Sequence, residues 1–514
     1  EAKNVCEANS EIETRASNES PVQLISDNNY QATTVDQAGK INNAYGNSGY
    51  KISSNDLNPS QEKAVRQACS NSLTLIQGPP GTGKSKTSAS IIKEFLAQNG
   101  EKNVLAVAET NEGVDNLLEK IVQVSSDLPE RSLLRVGSST WSVRESLQKF
   151  TLEVRYAERS QGKRVRENWM DKKIVNRILN EARVVCTTCS SAGSKIFDET
   201  KFCKLLVDEA SQATEPAILV PISRGIDVLV LVGDDKQLPP TIKSKDAKEL
   251  CNTTFSRLRA SGHHVYLLDT QYRMHPCISE FPSMTFYEAK LRDGVTSRDR
   301  PTPEGFSWPN KVTPVAFVST PKDAKEQGGR SKKNIKEGEI VKRVVNDVLS
   351  ADDLKEENIG IMTPYSAQVK LLTDNIQKNH PGISIRSVDG FQGQERELII
   401  FSAVRSNDLG QLGFLDDDQR MNVLLTRARR GLIVIGNRNT LAQKDSTWKK
   451  WIEWIEKEHL AVDSETLFPS PTGESSRGKD SGWTRGRGNR KPQENSDGGG
   501  TRGRRGRIKG PQRF

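Results

Sequence analysis

Short apolar runs recur through the middle of the chain, separated by stretches whose apolar residues fall at helical spacing. Leu73, Leu75 and Ile76, then Val104–Ala108, Arg183–Cys186, Leu205–Val207 and Val228–Val232, read as buried β-strands. Between them, Ala64, Val65 and Ala68 share one helical face, Ser88–Phe95 continues at helical spacing, and an amphipathic helix runs from Asn111 to near Ile121. After Asp269 the alternation resumes, with strands at Val315–Val318, Ile359–Thr363, Ile383–Ser387, Leu398–Ala403 and Leu432–Gly436. Helices are expected over Glu337–Leu349 and Ala367–Ile376. Apolar strands alternating with helices predict an α/β chain with two parallel sheets, each covered on both faces.

The same pattern divides the chain. Residues 1–55 are rich in Asn, Ser, Gln and Glu and are expected to be disordered or the remnant of something larger. The chain begins at Glu1 rather than Met, as a fragment would. Residues 56–268 form the first predicted domain, with a charged helical insertion at about 138–181, and 269–462 the second. The Arg and Lys residues of the insertion suit a solvated face more readily than a nucleic-acid contact. Residues 463–514 read as a tail, whose Arg485–Gly488 and Arg502–Arg507 repeats cannot bury a core and should stay disordered.

Composition adds three limits. In 514 residues with 34% hydrophobic content and mean hydropathy −0.63, no apolar run approaches the ~20 residues of a membrane span. Seven irregularly spaced cysteines suggest a reducing compartment, cytoplasmic or nuclear, rather than a disulfide framework. Cys186 and Cys189 make a CxxC without a second pair, so they read as small strand-end residues rather than a zinc site. The net charge of +9 is concentrated in the tail: Arg477–Phe514 holds twelve Lys/Arg against three Asp/Glu, so the rest nets zero. Such a tail suits auxiliary nucleic-acid contact or a protein partner, with a solubilising or import role as the alternative.

The chemistry begins at the first strand. Gly78-Pro79-Pro80-Gly81-Thr82-Gly83-Lys84-Ser85, with Lys86 following, lies between that strand and a helix. Strand, glycine-rich loop and helix in that order make a phosphate cradle of backbone N–H groups closed by a helix N-terminus. Lys84 would bridge the β- and γ-phosphates of ATP, and the Ser85 hydroxyl would take a position on Mg²⁺. Upstream, the Gln61 amide can read an adenine edge or be an ordinary helix-surface glutamine. Asp208 and Glu209 end a buried strand, where a parallel sheet presents its working residues; Asp208 would hold Mg²⁺ and Glu209 would orient or deprotonate the attacking water. Gln237, after the next strand, can sense the γ-phosphate. In the second domain, which has no phosphate loop of its own, Tyr272 offers an aromatic face for a base, and Arg273 and Arg427 offer guanidiniums for phosphate.

These blocks resemble the superfamily 1 helicases, in the subgroup of the nonsense-mediated-decay helicase, senataxin and the immunoglobulin-mu-binding helicase. The resemblance runs from about Leu57 to Val462 through LNPSQ, GPPGTGKS, VDEASQATEP, VGDDKQLPPT, QYRMHP, TPYSAQ, SVDGFQGQE and NVLLTRAR, in the family's order. It implies two tandem RecA-like P-loop NTPase-type domains, an ATP- and Mg²⁺-dependent monomer, and movement from 5′ to 3′ along single-stranded RNA or DNA. It also implies that Glu395 approaches the nucleotide, that Tyr272 stacks on adenine and Gln61 reads it, and that Gln237, Arg273 and Arg427 contact the γ-phosphate. Thr110 and Asn111, Thr187 and Thr188, and Pro364 and Tyr365 fall in the family's strand-contacting blocks. Two family features are missing, the Cys/His-rich zinc module and a recognisable β-barrel upstream of LNPSQ. An ATP-gated single-strand clamp without processive unwinding therefore stands as the alternative.

Overall fold

The computed structural model describes residues 56–98, 103–160 and 170–469. The expectations for residues 1–55 and for the Arg/Gly repeats lie outside the described residues. Two parallel sheets form the body. The first is ordered β3-β4-β2-β5-β6-β1-β7, from β1 (Leu73–Gln77), β2 (Asn103–Ala108), β3 (Leu133–Arg135), β4 (Val184–Thr188), β5 (Phe202–Val207), β6 (Val228–Gly233) and β7 (Val265–Leu267). A two-stranded pair, β8 (Thr270–Gln271) with β9 (Arg292–Asp293), follows. The second sheet is ordered β12-β11-β13-β14-β10-β15, from β10 (Val315–Ser319), β11 (Ile359–Thr363), β12 (Ser384–Ser387), β13 (Arg396–Ser402), β14 (Ala428–Gly436) and β15 (Ala461–Asp463). Each sheet places its own first strand second from one edge, so the two are built alike, in the RecA-like manner.

The apolar runs are continuous because both faces of each sheet are covered. Along β5, Leu206 joins Ile76, Ala106 and Val230 in one apolar layer, while Leu205 and Val207 join Leu75, Leu105 and Leu231 in the other. In β10, Val315 and Phe317 face one layer of the second domain and Ala316 and Val318 the other. Short strands escaped the sequence reading: β3, β7 and β15 are three residues each, too short to show a period. The folded chain also continues past the expected start of the tail at 463. A helical turn, Ser464–Leu467, follows β15, and Leu467 and Phe468 pack against the second domain's apolar layer. The insertion holds the helices Leu152–Arg159 and Lys172–Glu181. Among the described residues no helix is long and apolar enough to cross a membrane.

Beneath the C-terminal end of β13 sits a buried carboxyl. Glu337 accepts from Ser402 Oγ (2.6 Å), from Val404 N–H (2.8 Å) and from Asn334 Nδ2 (3.3 Å). Those bonds hold Val404 at φ +69, a conformation that costs a β-branched residue energy. Burial pushes the Glu337 carboxyl up to about 8 from an ordinary value of 4.5. The folded state therefore keeps a proton that the unfolded chain releases near pH 4.5, and the associated stability is full below that pH and is lost as pH rises to about 8. Thermal midpoints should fall across that window, and Glu337→Gln should flatten the fall; an identical slope in the variant would place the titration elsewhere.

Candidate active site

The phosphate loop is glycine-rich because the backbone requires it. Gly81 and Gly83 sit at φ +75 and +80, a region L side chains rarely adopt. A Cβ on Gly81 would lie 2.6 Å from Arg273 Cβ, and one on Gly83 would lie 2.7 Å from Gln61 Nε2. Thr82 closes the turn by donating from Oγ1 to the Pro79 carbonyl (2.8 Å). Lys84 opens the helix Lys84–Gln98; its ammonium donates to the Gly78 carbonyl (2.9 Å) and lies 3.6 Å from Glu209 Oε1. Lys86 is engaged elsewhere, donating to the Asp56 carbonyl (2.7 Å).

Asp208 and Glu209 follow the last residue of β5. Asp208 is buried, and burial together with the neighbouring Glu209 charge lifts its carboxyl to about 7, against the pull of Lys84. Its hydrogen-bonding hydroxyl is that of Ser88 (3.2 Å), one turn along the helix from Ser85. Glu209 stands at φ +51, which turns the chain sharply at the sheet edge and brings its carboxylate toward Lys84. Ser85 and Asp208 supply hard oxygen donors of the kind Mg²⁺ prefers, and the raised Asp208 carboxyl is one that a divalent cation would return to its charged form. Bound there, the ion would neutralise phosphate charge.

Across the cleft the arrangement depends on opposite sheet edges. The carboxyl ends of the first sheet carry the phosphate loop, Asp208, Glu209 and Gln237. They face the amino ends of the second sheet, where Glu395 immediately precedes β13 and Arg427 immediately precedes β14. Arg427 is buried and donates from Nη2 to Gln237 Oε1 (3.2 Å) and from Nε to the Val423 carbonyl (3.0 Å). Burial, with Arg273 nearby, lowers its guanidinium to about 9. Arg273 pairs through Nε with Glu395 and donates from Nη1 to the Thr426 carbonyl (3.0 Å). Burial acts to raise the Glu395 carboxyl, but Arg273, Arg429 and Arg427 together hold it below the usual carboxylate range.

Gln61 and Tyr272 complete the rim. The helix Pro59–Ser70 is capped by Asn58, whose N–H donates to Gln61 Oε1 (3.1 Å), while Gln61 Nε2 donates to the Thr82 carbonyl (3.0 Å). Tyr272, 39% exposed, accepts from Asn58 Nδ2 at its hydroxyl (2.9 Å), and its backbone N–H donates to the Gly81 carbonyl (2.8 Å). Arg273, Glu395, Gln237 and Arg427 are thus joined by hydrogen bonds beside the loop that carries Lys84, and Gln61 and Tyr272 bond to that loop, whereas Lys86 bonds the Asp56 carbonyl instead.

Sequence reasoning missed the buried link beneath that cleft. Asp234 accepts from Gln237 Nε2 (2.8 Å), from Tyr287 OH (2.8 Å) and from Gln77 Nε2 (3.3 Å). Tyr287 OH in turn accepts from Asn422 Nδ2 (2.7 Å), which also donates to the Lys236 carbonyl (2.8 Å). Asp234 and Asn422 lay inside recognised blocks, three residues from Gln237 and five from Arg427 respectively, but Tyr287 gave no signal at all.

The strand-contacting candidates split by exposure. Thr110 and Asn111 are exposed, Thr110 capping the helix Asn111–Val124 and Asn111 Oδ1 accepting from Arg135 Nη2 (2.8 Å). Thr187 is buried at the end of β4 and its hydroxyl has no hydrogen-bond partner, whereas Thr188 Oγ1 donates to Ser191 Oγ (2.9 Å). Pro364 is half-buried; Tyr365 is buried against Phe414 and accepts from Arg405 Nη1 (3.2 Å). They lie at or just beyond the carboxyl ends of β2, β4 and β11. Cys186 and Cys189 are buried, with thiols pushed up to about 12 by burial, and no cluster of three or more His, Cys, Asp or Glu is placed to hold a metal among the described residues.

Two family models, each described as an AAA domain, match this chain, one over residues 56–170 and 159–245 and the other over 250–439. The regulator of nonsense transcripts 1 homolog of Drosophila melanogaster is 38% identical over 435 residues, covering 79% of this chain and 36% of that protein. The ATP-dependent helicase upf1 of Schizosaccharomyces pombe is 36% identical over 429 residues, covering 77% and 46%. The ATP-dependent helicase NAM7 of Saccharomyces cerevisiae is 38% identical over 419 residues, covering 76% and 42%. The chain therefore spans less than half the length of these curated relatives. With every strand of both sheets except β15 inside the regions that the family models match, the chain belongs to the superfamily 1 helicases, among the relatives of the nonsense-transcript regulators.

Proposed function

We propose that this chain hydrolyses ATP with Mg²⁺ in the cleft and uses the cycle to move 5′ to 3′ along single-stranded RNA or DNA. The observation that carries the reading is the Gln237–Arg427 hydrogen bond (3.2 Å), which joins the carboxyl edge of the first sheet to the amino edge of the second beside the phosphate loop. A γ-phosphate between those edges would hold the domains together, and its loss would release them. Lys84, with Arg273 and Arg427, would balance the phosphate charge, Asp208 and Ser85 would hold the ion, and Glu209 would orient the attacking water. Gln61 and Tyr272 would hold the base.

ATP turnover measured with and without single-stranded RNA and DNA tests the reading: stimulation by a strand is expected, and turnover indifferent to both would reject it. A strand-displacement assay separates a translocase from an ATP-gated clamp, since only the former releases the annealed strand. Glu209→Gln should retain Mg-ATP yet stall hydrolysis, because an amide cannot accept the water's proton. Lost nucleotide binding in that variant would make Glu209 a structural residue instead.

A further inference from the structure

Trp141 is 92% exposed, more than any other large apolar side chain among the described residues. An indole in water forgoes the burial this side chain ordinarily makes. Its position is nevertheless held. The chain leaves β3 through Val136, whose N–H donates to the Cys186 carbonyl of β4 (3.0 Å). Gly137, at φ +91, crosses directly over the end of β4: a Cβ there would lie 2.6 Å from Ser191 and 3.2 Å from Thr187 Oγ1. Thr140–Ser142 then make a tight turn, fastened by Thr140 Oγ1 to Thr151 Oγ1 (3.1 Å) and by Ser142 Oγ to the Ser139 carbonyl (2.8 Å). Beyond it Arg144 reaches Glu119 (2.7 Å) and Asn116 on the helix that begins at Asn111. The four steps from Gly137 to Trp141 span at most about 14 Å, which tethers the Trp141 backbone to the sheet end that carries Thr187 and its unpartnered hydroxyl.

We propose that Trp141 is a stacking platform for an unpaired nucleic-acid base where the single strand passes over the first sheet. The proposal rests on the single-strand reading above and adds a specific contact to it. An indole face suits any base, so it can grip a strand without reading its sequence. Its chain neighbours Ser138, Ser139, Thr140 and Ser142 use their hydroxyls to fasten the turn, so the indole stands on a polar, internally bonded loop. A protein-docking patch calls instead for contiguous apolar area.

The test uses the full chain and fluorescence anisotropy over a series of salt concentrations with three labelled probes of equal length: an oligouridylate, an oligodeoxythymidylate, and a strand whose residues are abasic. Trp141→Ala should weaken oligouridylate binding about tenfold, the effect of one lost base stack. Trp141→Phe should retain most of the affinity, and the abasic strand should bind the parent and both variants alike. The salt slope should not change, because no phosphate contact is removed. Equal oligouridylate affinity in parent and Trp141→Ala, as expected if the indole docks a protein, overturns the proposal. So does an equal loss on the abasic strand. A parent that binds neither oligouridylate nor oligodeoxythymidylate would instead reject the single-strand reading, and the stacking proposal with it.

Discussion

Replacing Arg427 with alanine should lower kcat for ATP about a thousandfold, the scale of an arginine that meets phosphoryl-transfer charge from across a cleft. Nucleotide affinity should move far less, since an interaction made chiefly in the transition state appears in kcat rather than in binding. The side chain is buried at the amino end of β14, where it bonds Gln237, the Val423 carbonyl and Thr426 Oγ1 (3.1 Å). Alanine leaves those acceptors without their donor, which itself costs stability. Arg427→Lys is therefore the companion variant: it keeps the charge but loses the planar fork. If Lys also reduces kcat strongly while the thermal midpoint stays near the parent's, chemistry rather than folding is at fault. Reduced affinity at unchanged kcat, read by nucleotide titration beside steady-state turnover, would make Arg427 a ground-state binder.

Lys84→Ala should reduce turnover at least about a hundredfold, as expected when a charge-stabilising donor is taken from a phosphoryl-transfer site. The ammonium stands between the Gly78 carbonyl and Glu209, at the floor of the loop, so no other described side chain occupies its place. The variant should still fold, because the turn is held by Gly81, Gly83 and the Thr82 bond rather than by Lys84. Binding of a single strand without nucleotide should survive. Turnover within about threefold of the parent, less than one kcal/mol in barrier height, would remove Lys84 from the role assigned to it.

Period and spacing carried much of this architecture because a parallel sheet covered on both faces writes itself as continuous apolar strands. The β5 stretch Leu205–Val207, buried at every position, is the plainest case, and the glycine loop after β1 is another. Both are local: a few consecutive residues hold the signal. The short strands β3, β7 and β15 are different. Three residues cannot show a period, and they exist as strands because neighbours such as β4, β1 and β10 offer them a ladder. Ser464–Leu467 likewise folds because Leu467 and Phe468 find an apolar layer, which no residue in that run announces.

For the cleft the division is sharper. Sequence alone determined that a phosphate loop, two carboxylates, Gln237 and two arginines exist in this order, because each sits in a local block whose residue types suit one step of the chemistry. It could not determine that Arg427 and Glu395 lie at the amino ends of their strands, opposite the carboxyl ends that carry Lys84 and Glu209, since that follows from how the two sheets face each other. Nor could it find Tyr287, whose neighbours in sequence say nothing about Asp234 or Asn422. Tyr287 joins this link only through hydrogen bonds to residues more than fifty positions away on either side, and only the tertiary structure brings those three side chains into one buried group, in which Asn422 Oδ1 is left without a partner.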